Sequence, residues 1–266
     1  MEIKQILVEP AKNPTERFTT RVENYLRYRP GYPAAILDLL ASHCRLSPQS
    51  AIADIGSGTG ILAELFLQNG NTVNGVEPNT AMRTAGEELL KTYPNFISIN
   101  GAAESTTLPA ATIDFVTAGQ AFHWFDAAKA RLEFRRILRP EGCVVLIWNE
   151  RLLDSTAFLR AYEELLLISG IDYEQVRHDR GDQSIVDFFA PGSFIRANFA
   201  NVQELDLEAF KGRVFSASYT PEPGHLNYKT MVAGLEKIFL KHSENGIVAF
   251  EYNTNVYFGQ LPEKLK

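Results

Sequence analysis

The apolar run Ala51-Ile52-Ala53 leads into Asp54-Ile55-Gly56-Ser57-Gly58-Thr59-Gly60 and then into an amphipathic stretch from Ile61 to Gln68. This order reads as a strand, a tight turn and the start of a helix. Three alternating glycines let the backbone take positive φ and let a ligand approach the main chain where a Cβ would block it. The free N–H groups of the helix that follows point at whatever sits in the turn. The segment therefore reads as a loop that cradles a cofactor at the carboxyl end of a strand, which places the chain among α/β proteins. A dinucleotide fingerprint needs its third glycine, or an alanine, one position later, where Ile61 stands. That departure counts against NAD and FAD.

Three further segments follow in an order that suits a nucleoside cofactor. Asn71-Thr72-Val73-Asn74-Gly75-Val76-Glu77-Pro78 reads as a short strand ending in an acid, able to accept hydrogen bonds from both hydroxyls of a ribose. The acid suits NAD as well and does not discriminate. Gly101-Ala102-Ala103-Glu104 follows an apolar strand, Phe96 to Ile99. Ile113 to Ala118 then runs into Gly119-Gln120-Ala121-Phe122-His123-Trp124-Phe125-Asp126, a loop that presents polar groups at the carboxyl edge of a sheet.

With Asp54 two residues before the first glycine, Gly-x-Gly-x-Gly resembles motif I of the class I S-adenosylmethionine-dependent methyltransferases. Gln120-Ala121-Phe122-His123-Trp124-Phe125, together with Tyr25-Leu26-Arg27-Tyr28-Arg29-Pro30-Gly31-Tyr32-Pro33, is similar to the small-molecule branch that includes the trans-aconitate methyltransferase-like enzymes. The resemblance covers roughly the first 150 residues well and the rest loosely. It implies a seven-stranded, mostly parallel Rossmann-like sheet flanked by helices, with a helical substrate cap inserted after the fifth strand. It also implies S-adenosylmethionine as cofactor, held by Asp54, Gly56, Gly58, Gly60, Glu77, Ala103, Glu104, Gln120 and Ala121. Tyr25 and Arg29 are expected to cover it as a lid. Pro30 pushes Arg29 out of helical geometry, where its guanidinium could clamp the methionine carboxylate bidentately.

The chain has 266 residues, enough for one α/β domain with an insertion. The expected division is a lid and helix over 1–45, a cofactor domain over 46–150, a cap over 151–200 and the rest of the sheet over 201–266. A net charge of −6 argues against a general nucleic-acid binder. The two cysteines, Cys44 and Cys143, lack metal-ligand spacing and read as small buried hydrophobes, so neither a metal nor a disulfide framework is expected. No apolar run is long enough to span a bilayer, and the amino terminus is too charged for a signal peptide, so a soluble, cytoplasmic protein is expected. Helices are expected over Ala127–Leu138, ended by Arg139-Pro140-Glu141-Gly142, over Thr156–Ser169 and over Tyr228–His242. Strands are expected at Gly142–Trp148 and within Gly246–Phe258.

Methyl transfer from a sulfonium is an in-line displacement, so positioning matters more than covalent chemistry. A carboxylate acceptor needs no base, whereas a hydroxyl must lose a proton. His123 is the candidate base, with a wall of the cofactor pocket as its other role. Trp124, Trp148 and Arg151 are the candidate acceptor contacts, the tryptophans as flat apolar walls and Arg151 as an anion clamp; Arg177 to Arg180 offer a second basic cluster. The expected partner is a small organic molecule methylated at oxygen, with no nucleic acid or membrane, and the oligomeric state is not readable. A nicotinamide-dependent oxidoreductase and a non-catalytic adenosylmethionine-binding protein are the alternative readings.

Overall fold

The structure is a computed structural model that describes residues 27–171, 173 and 183–262. Short apolar runs separated by helices build the first half. They are β1 (Ala51–Ile55), α2 (Ile61–Gln68), β2 (Thr72–Val76), α3 (Thr80–Leu89), β3 (Phe96–Ile99), β4 (Ile113–Gly119), α4 (Ala127–Ile137) and β5 (Leu138–Arg151), with α1 (Ala35–Cys44) ahead of them. The second half adds α5 (Ala157–Ser169), α6 (Gln183–Phe189), β6 (Ile195–Leu205), α7 (Leu207–Phe215), α8 (Tyr228–His242) and β7 (Val248–Gly259). The strands form one seven-stranded sheet in the order β3-β2-β1-β4-β5-β7-β6. β1 to β5 are parallel, and β7 is antiparallel to both of its neighbours. This is the expected Rossmann-like architecture. Strand order reverses between β1 and β4, and ligands bind at the carboxyl ends flanking such a switch point.

Burial on both faces explains why the central strands are mostly apolar. Along β5, Val144 and Leu146 enter the core on one face, while Val145 and Ile147 enter the core on the other. The alternation carries on to the strand end, so Asn149 and Arg151 share the face of Ile147 and Trp148 lies on the opposite one. Helix starts are fixed by side chains that accept from backbone N–H groups: Asn79, Asp126, Thr156 and Asp206 each take one three residues on.

Two segments differ from the sequence reading. β5 begins at Leu138, directly after α4, although Pro140 and Gly142 were expected to separate them. Pairing with β4 jumps from Ile113–Leu138 to Phe115–Cys143, so residues 139–142 bulge out of the ladder and the missing proline N–H costs nothing. Secondly, β6 starts at Ile195, inside the stretch expected as cap, and α7 and α8 lie between β6 and β7. As an edge strand half open to solvent, β6 carries Arg196, Asn198, Asn201 and Gln203 and lacks the apolar signature of a buried strand. The helical layer therefore draws on two insertions. A third core cluster joins α5, α7, α8 and β7 through residues such as Tyr162, Phe210, Leu235 and Phe250. Gly234 allows α8 to close on α5, since a Cβ there would stand 2.5 Å from Leu165 Cδ1.

Cys44 and Cys143 are free thiols whose sulfurs lie 2.9 Å apart. Among the described residues no helix is long and apolar enough to cross a membrane, and no cluster of His, Cys, Asp or Glu has the makings of a metal site.

Candidate active site

The turn after β1 takes the conformation its glycines permit, with φ of +66° at Gly56, +57° at Gly58 and +87° at Gly60. A Cβ on Gly56 would stand 2.7 Å from the Cβ of Ala121, so the loop and the end of β4 touch through this glycine. Gln120 also has φ of +56°, an uncommon left-handed conformation for a residue with a side chain. Its amide nitrogen Nε2 donates to the Asn149 carbonyl at 3.0 Å. The ends of β1, β4 and β5 thus meet at one cleft, lined among others by Arg29, Asp54, Ser57, Thr59, Gln120 and Asn149.

Two carboxylates sit under the loop. Asp54 is buried, and one of its oxygens accepts from Thr117 Oγ1 at 2.9 Å. The other oxygen, Oδ2, is buried with no protein donor. Burial pushes the Asp54 carboxyl up to about 7, aided by the charge of Glu77 and opposed by the Thr117 hydroxyl and the Ala63 amide. Glu77 is also buried; Oε2 accepts from the Gly58 amide at 2.9 Å and Oε1 from the Asn79 amide at 2.8 Å. Burial raises its carboxyl too, against those two amides and Arg83. Each oxygen keeps lone-pair capacity beyond the one backbone bond it accepts.

The segment ahead of α1 lies over this cleft. Arg29 donates from Nη2 to the Ser216 carbonyl at 3.0 Å. Tyr32 sits so close to the end of β4 that a Cβ on Gly119 would meet its hydroxyl at 2.5 Å. Asn149 locks the same segment, donating to the Gly31 carbonyl at 3.1 Å and accepting from Thr254 Oγ1 at 2.5 Å. Asn149 and Thr59 line the cleft too, and sequence reasoning did not single out Thr59 as a ligand. The signal for Asn149 is a polar residue placed two positions after the core residue Ile147 on the same face. Tyr25 and the cluster Arg177, His178 and Arg180 lie outside the described residues.

The other expected ligands divide. Ala103 is buried in the core, so only its backbone could face a ligand. Glu104 accepts from the Asp126 amide at 2.7 Å, which joins its turn to the start of α4. His123 and Trp124 share a single 3-10 turn, Phe122–Trp124, with ring centroids 4.6 Å apart, and neither lines the cleft. Trp148 packs edge-on against Phe122 and Tyr257, and its Nε1 is buried with no protein acceptor. Arg151 pairs with Glu163 and donates to the Tyr173 hydroxyl at 2.9 Å, away from the glycine loop. Its charge is thus already matched.

S-adenosylmethionine fits what the cleft offers. The buried Asp54 Oδ2 and Thr59 Oγ1 are orphans in the same loop, and unsatisfied buried groups of this kind call for a ligand or a water. An ammonium and hydroxyl groups supply the donors, while the glycines leave room beside the main chain. If Arg29 holds the methionine carboxylate, Arg29→Ala should weaken S-adenosylhomocysteine binding about tenfold by calorimetry, the value of one charge-assisted contact. Unchanged affinity would remove the clamp.

Comparison with known proteins agrees with this geometry. The sequence profile of a methyltransferase domain matches residues 53–146. An uncharacterized methyltransferase of Mycobacterium tuberculosis strain H37Rv is 35% identical over 136 residues, covering 50% of this chain and 52% of that protein. The chain thus spans about half the length of such curated relatives. An uncharacterized methyltransferase of Geobacillus kaustophilus is 30% identical over 156 residues, 55% of this chain and 71% of that protein. Among solved structures, one assigned as a type II methyltransferase from Anaeromyxobacter dehalogenans superposes with a TM-score of 0.66 at 19% identity, covering 88% of this chain and 98% of the other. That match speaks for the fold. From the motif order, the cleft and these relatives together, the chain belongs to the class I S-adenosylmethionine-dependent methyltransferases.

Proposed function

We propose that this chain transfers a methyl group from S-adenosylmethionine to an oxygen, carboxylate or hydroxyl, of a small organic acceptor, as the trans-aconitate methyltransferase-like branch does by resemblance. The observation that carries the cofactor half is the buried Asp54 oxygen left without a donor beneath a glycine loop, with Glu77 at the end of the adjacent strand. Glu77 is the acceptor for the ribose hydroxyls, Asp54 receives the ammonium, directly or through water, and Gln120 and Ala121 wall the adenosyl side. The bound cofactor supplies an electrophilic methyl on sulfur. The protein's part is to bring an acceptor oxygen in line with it and to exclude water, which the Arg29–Tyr32 segment does by lying over the cleft.

The small-molecule half rests on the narrow cleft beneath that segment and the acidic balance of the chain. His123, three residues beyond the lining residue Gln120, is the proposed base, and only for acceptors with a proton to lose. A label-transfer assay over carboxylic acids and phenols tests both points. His123→Asn should lower kcat about 100-fold for phenols, the usual range for a general base, and leave carboxylates unchanged. Equal losses on both classes would make His123 a packing residue, and no turnover of any acid or phenol would leave cofactor binding without the proposed acceptor class.

A further inference from the structure

A second groove, at the amino ends of β4 and β5 and so at the far end of the sheet from the cofactor cleft, holds both thiols of the chain. Its volume is about 470 Å³, and its lining includes His43, Cys44, Glu141, Cys143, Ile195 and Gly259. Cys44 ends α1 and is half-buried, which the reading of both cysteines as buried hydrophobes did not expect; Cys143 stands on β5 just past the 139–142 bulge and is buried. Their sulfurs touch at 2.9 Å although the residues are 99 positions apart. The contact follows from how α1 packs. Cys143, Val145, Ile147 and Asn149 alternate onto one face of β5, and the first three share a core cluster with Ile36 and Leu40 of α1. Asn149 holds the Gly31 carbonyl, just ahead of α1, at 3.1 Å. The ten residues of α1 rise about 15 Å, and the stretch from Cys143 to Asn149 spans about 20 Å. The helix thus runs back along the strand. Its start is tied by the Asn149 hydrogen bond, and its end is met by the thiol pair and an exposed Arg45–Glu141 contact.

The two sulfurs are unequal. The hydrogen bond with Cys143 lowers the Cys44 thiol below its ordinary range, against burial, and the same bond together with burial pushes the Cys143 thiol up. Cys44 is therefore the thiolate that meets a reagent in the groove, and Cys143 is the thiol behind it. We infer that Cys44 and Cys143 form a peroxide-sensitive modification site, which closes into a disulfide and fastens the end of α1 to β5. In the first step the Cys44 thiolate attacks one oxygen of hydrogen peroxide and the O–O bond breaks; the other oxygen takes a proton and leaves as water, and Cys44 becomes a sulfenic acid. In the second the Cys143 sulfur attacks the Cys44 sulfur; the S–S bond forms, the S–O bond breaks, and the hydroxyl leaves with the Cys143 proton as a second water. The two thiols together give up two electrons, which the peroxide takes. The sulfurs need to close by less than about 1 Å to reach bonding distance. A dithiol reductant reverses the bond by exchange. The site stands independently of the cofactor reading.

The test starts from the full chain, reduced with dithiothreitol and then freed of it. A small molar excess of hydrogen peroxide should remove both free thiols, lower the intact mass by two hydrogens and yield a cross-linked peptide pair joining Cys44 to Cys143, all reversed by dithiothreitol. Because the bond closes a long loop, Tm should rise by about 5 °C or more, and amide hydrogen exchange across Ala35–Cys44 should slow at least about threefold. Cys143→Ala should stop at the sulfenic acid, trapped by dimedone on Cys44, while Cys44→Ala should leave the buried Cys143 unlabelled. If Cys143→Ala does not fold, the parent and Cys44→Ala decide. Two free thiols surviving the peroxide, sulfinic acid at Cys44 without a cross-link, bonds between separate molecules, or a disulfide that leaves exchange in α1 unchanged would each overturn the proposal.

Discussion

Glu77→Ala is expected to abolish measurable S-adenosylhomocysteine binding in a protein that still folds. On the proposed reading the carboxylate has two duties at once: it accepts the Gly58 and Asn79 amides, which holds the glycine turn against the end of β2, and its remaining lone pairs accept from a ribose diol. Removing it deletes two charge-assisted hydrogen bonds to ligand, worth about 1.5–3 kcal/mol each, and leaves two backbone donors loose where the ligand must pass. The loss should exceed about 100-fold. Glu77→Gln, which keeps the shape and one acceptor oxygen, should retain part of the affinity. Full affinity in the alanine variant, with an unchanged circular dichroism spectrum, would place the ribose elsewhere.

Asp54→Asn should trade cofactor affinity for stability, with a pH dependence that identifies the cause. The Asp54 carboxyl is raised to about 7 by burial, above its unfolded value near 3.9. Below about pH 4 it is protonated in both states, so asparagine should cost little there. Between that point and about pH 7 the unfolded chain ionises while the folded one resists, so the parent loses stability as pH rises. Above it the deficit is constant, of the order of 4 kcal/mol for a shift of about three units. The unliganded variant should therefore match the parent near pH 4 and exceed it near pH 8 in urea unfolding. Ligand binding should show the opposite sense. An ammonium near Oδ2 favours the ionised carboxylate, so parent affinity for S-adenosylhomocysteine should rise as pH approaches 7 from below, and the variant should be weaker and flat. A variant no more stable than the parent at pH 8 would mean that the buried carboxylate is already compensated.

The cofactor half of the fold was legible because its signals are local. Gly56, Gly58 and Gly60 mark a backbone that only glycine adopts easily, and β1 and β4 carry apolar residues on both faces because both faces are buried. The helix over Tyr228–His242 could be read from spacing alone. What escaped was set by partners distant in sequence. β6 reads as polar because it is an edge strand with one neighbour. Arg213 is buried only because α7, β7 and the Tyr28 segment close around it, and nothing near position 213 in the sequence announces that. Arg151 was read as an open cation, but Glu163, on a helix packed over the strand end, holds it. Trp148 and Asn149 are adjacent in sequence, yet strand alternation sends them to opposite faces, so only the latter lines the cleft. Local chemistry thus located the cofactor loop, and tertiary packing decides which residues beyond it can meet an acceptor.

The most direct test of the central claim is isothermal titration of the purified protein with S-adenosylhomocysteine, with NADH in a parallel cell. Micromolar binding of the adenosyl ligand, about −8 kcal/mol, with no heat from NADH, is the result expected of a glycine loop that lacks the dinucleotide spacing and carries Glu77 and Asp54 beneath it. Binding of NADH, or silence toward S-adenosylhomocysteine from a folded protein, would contradict it.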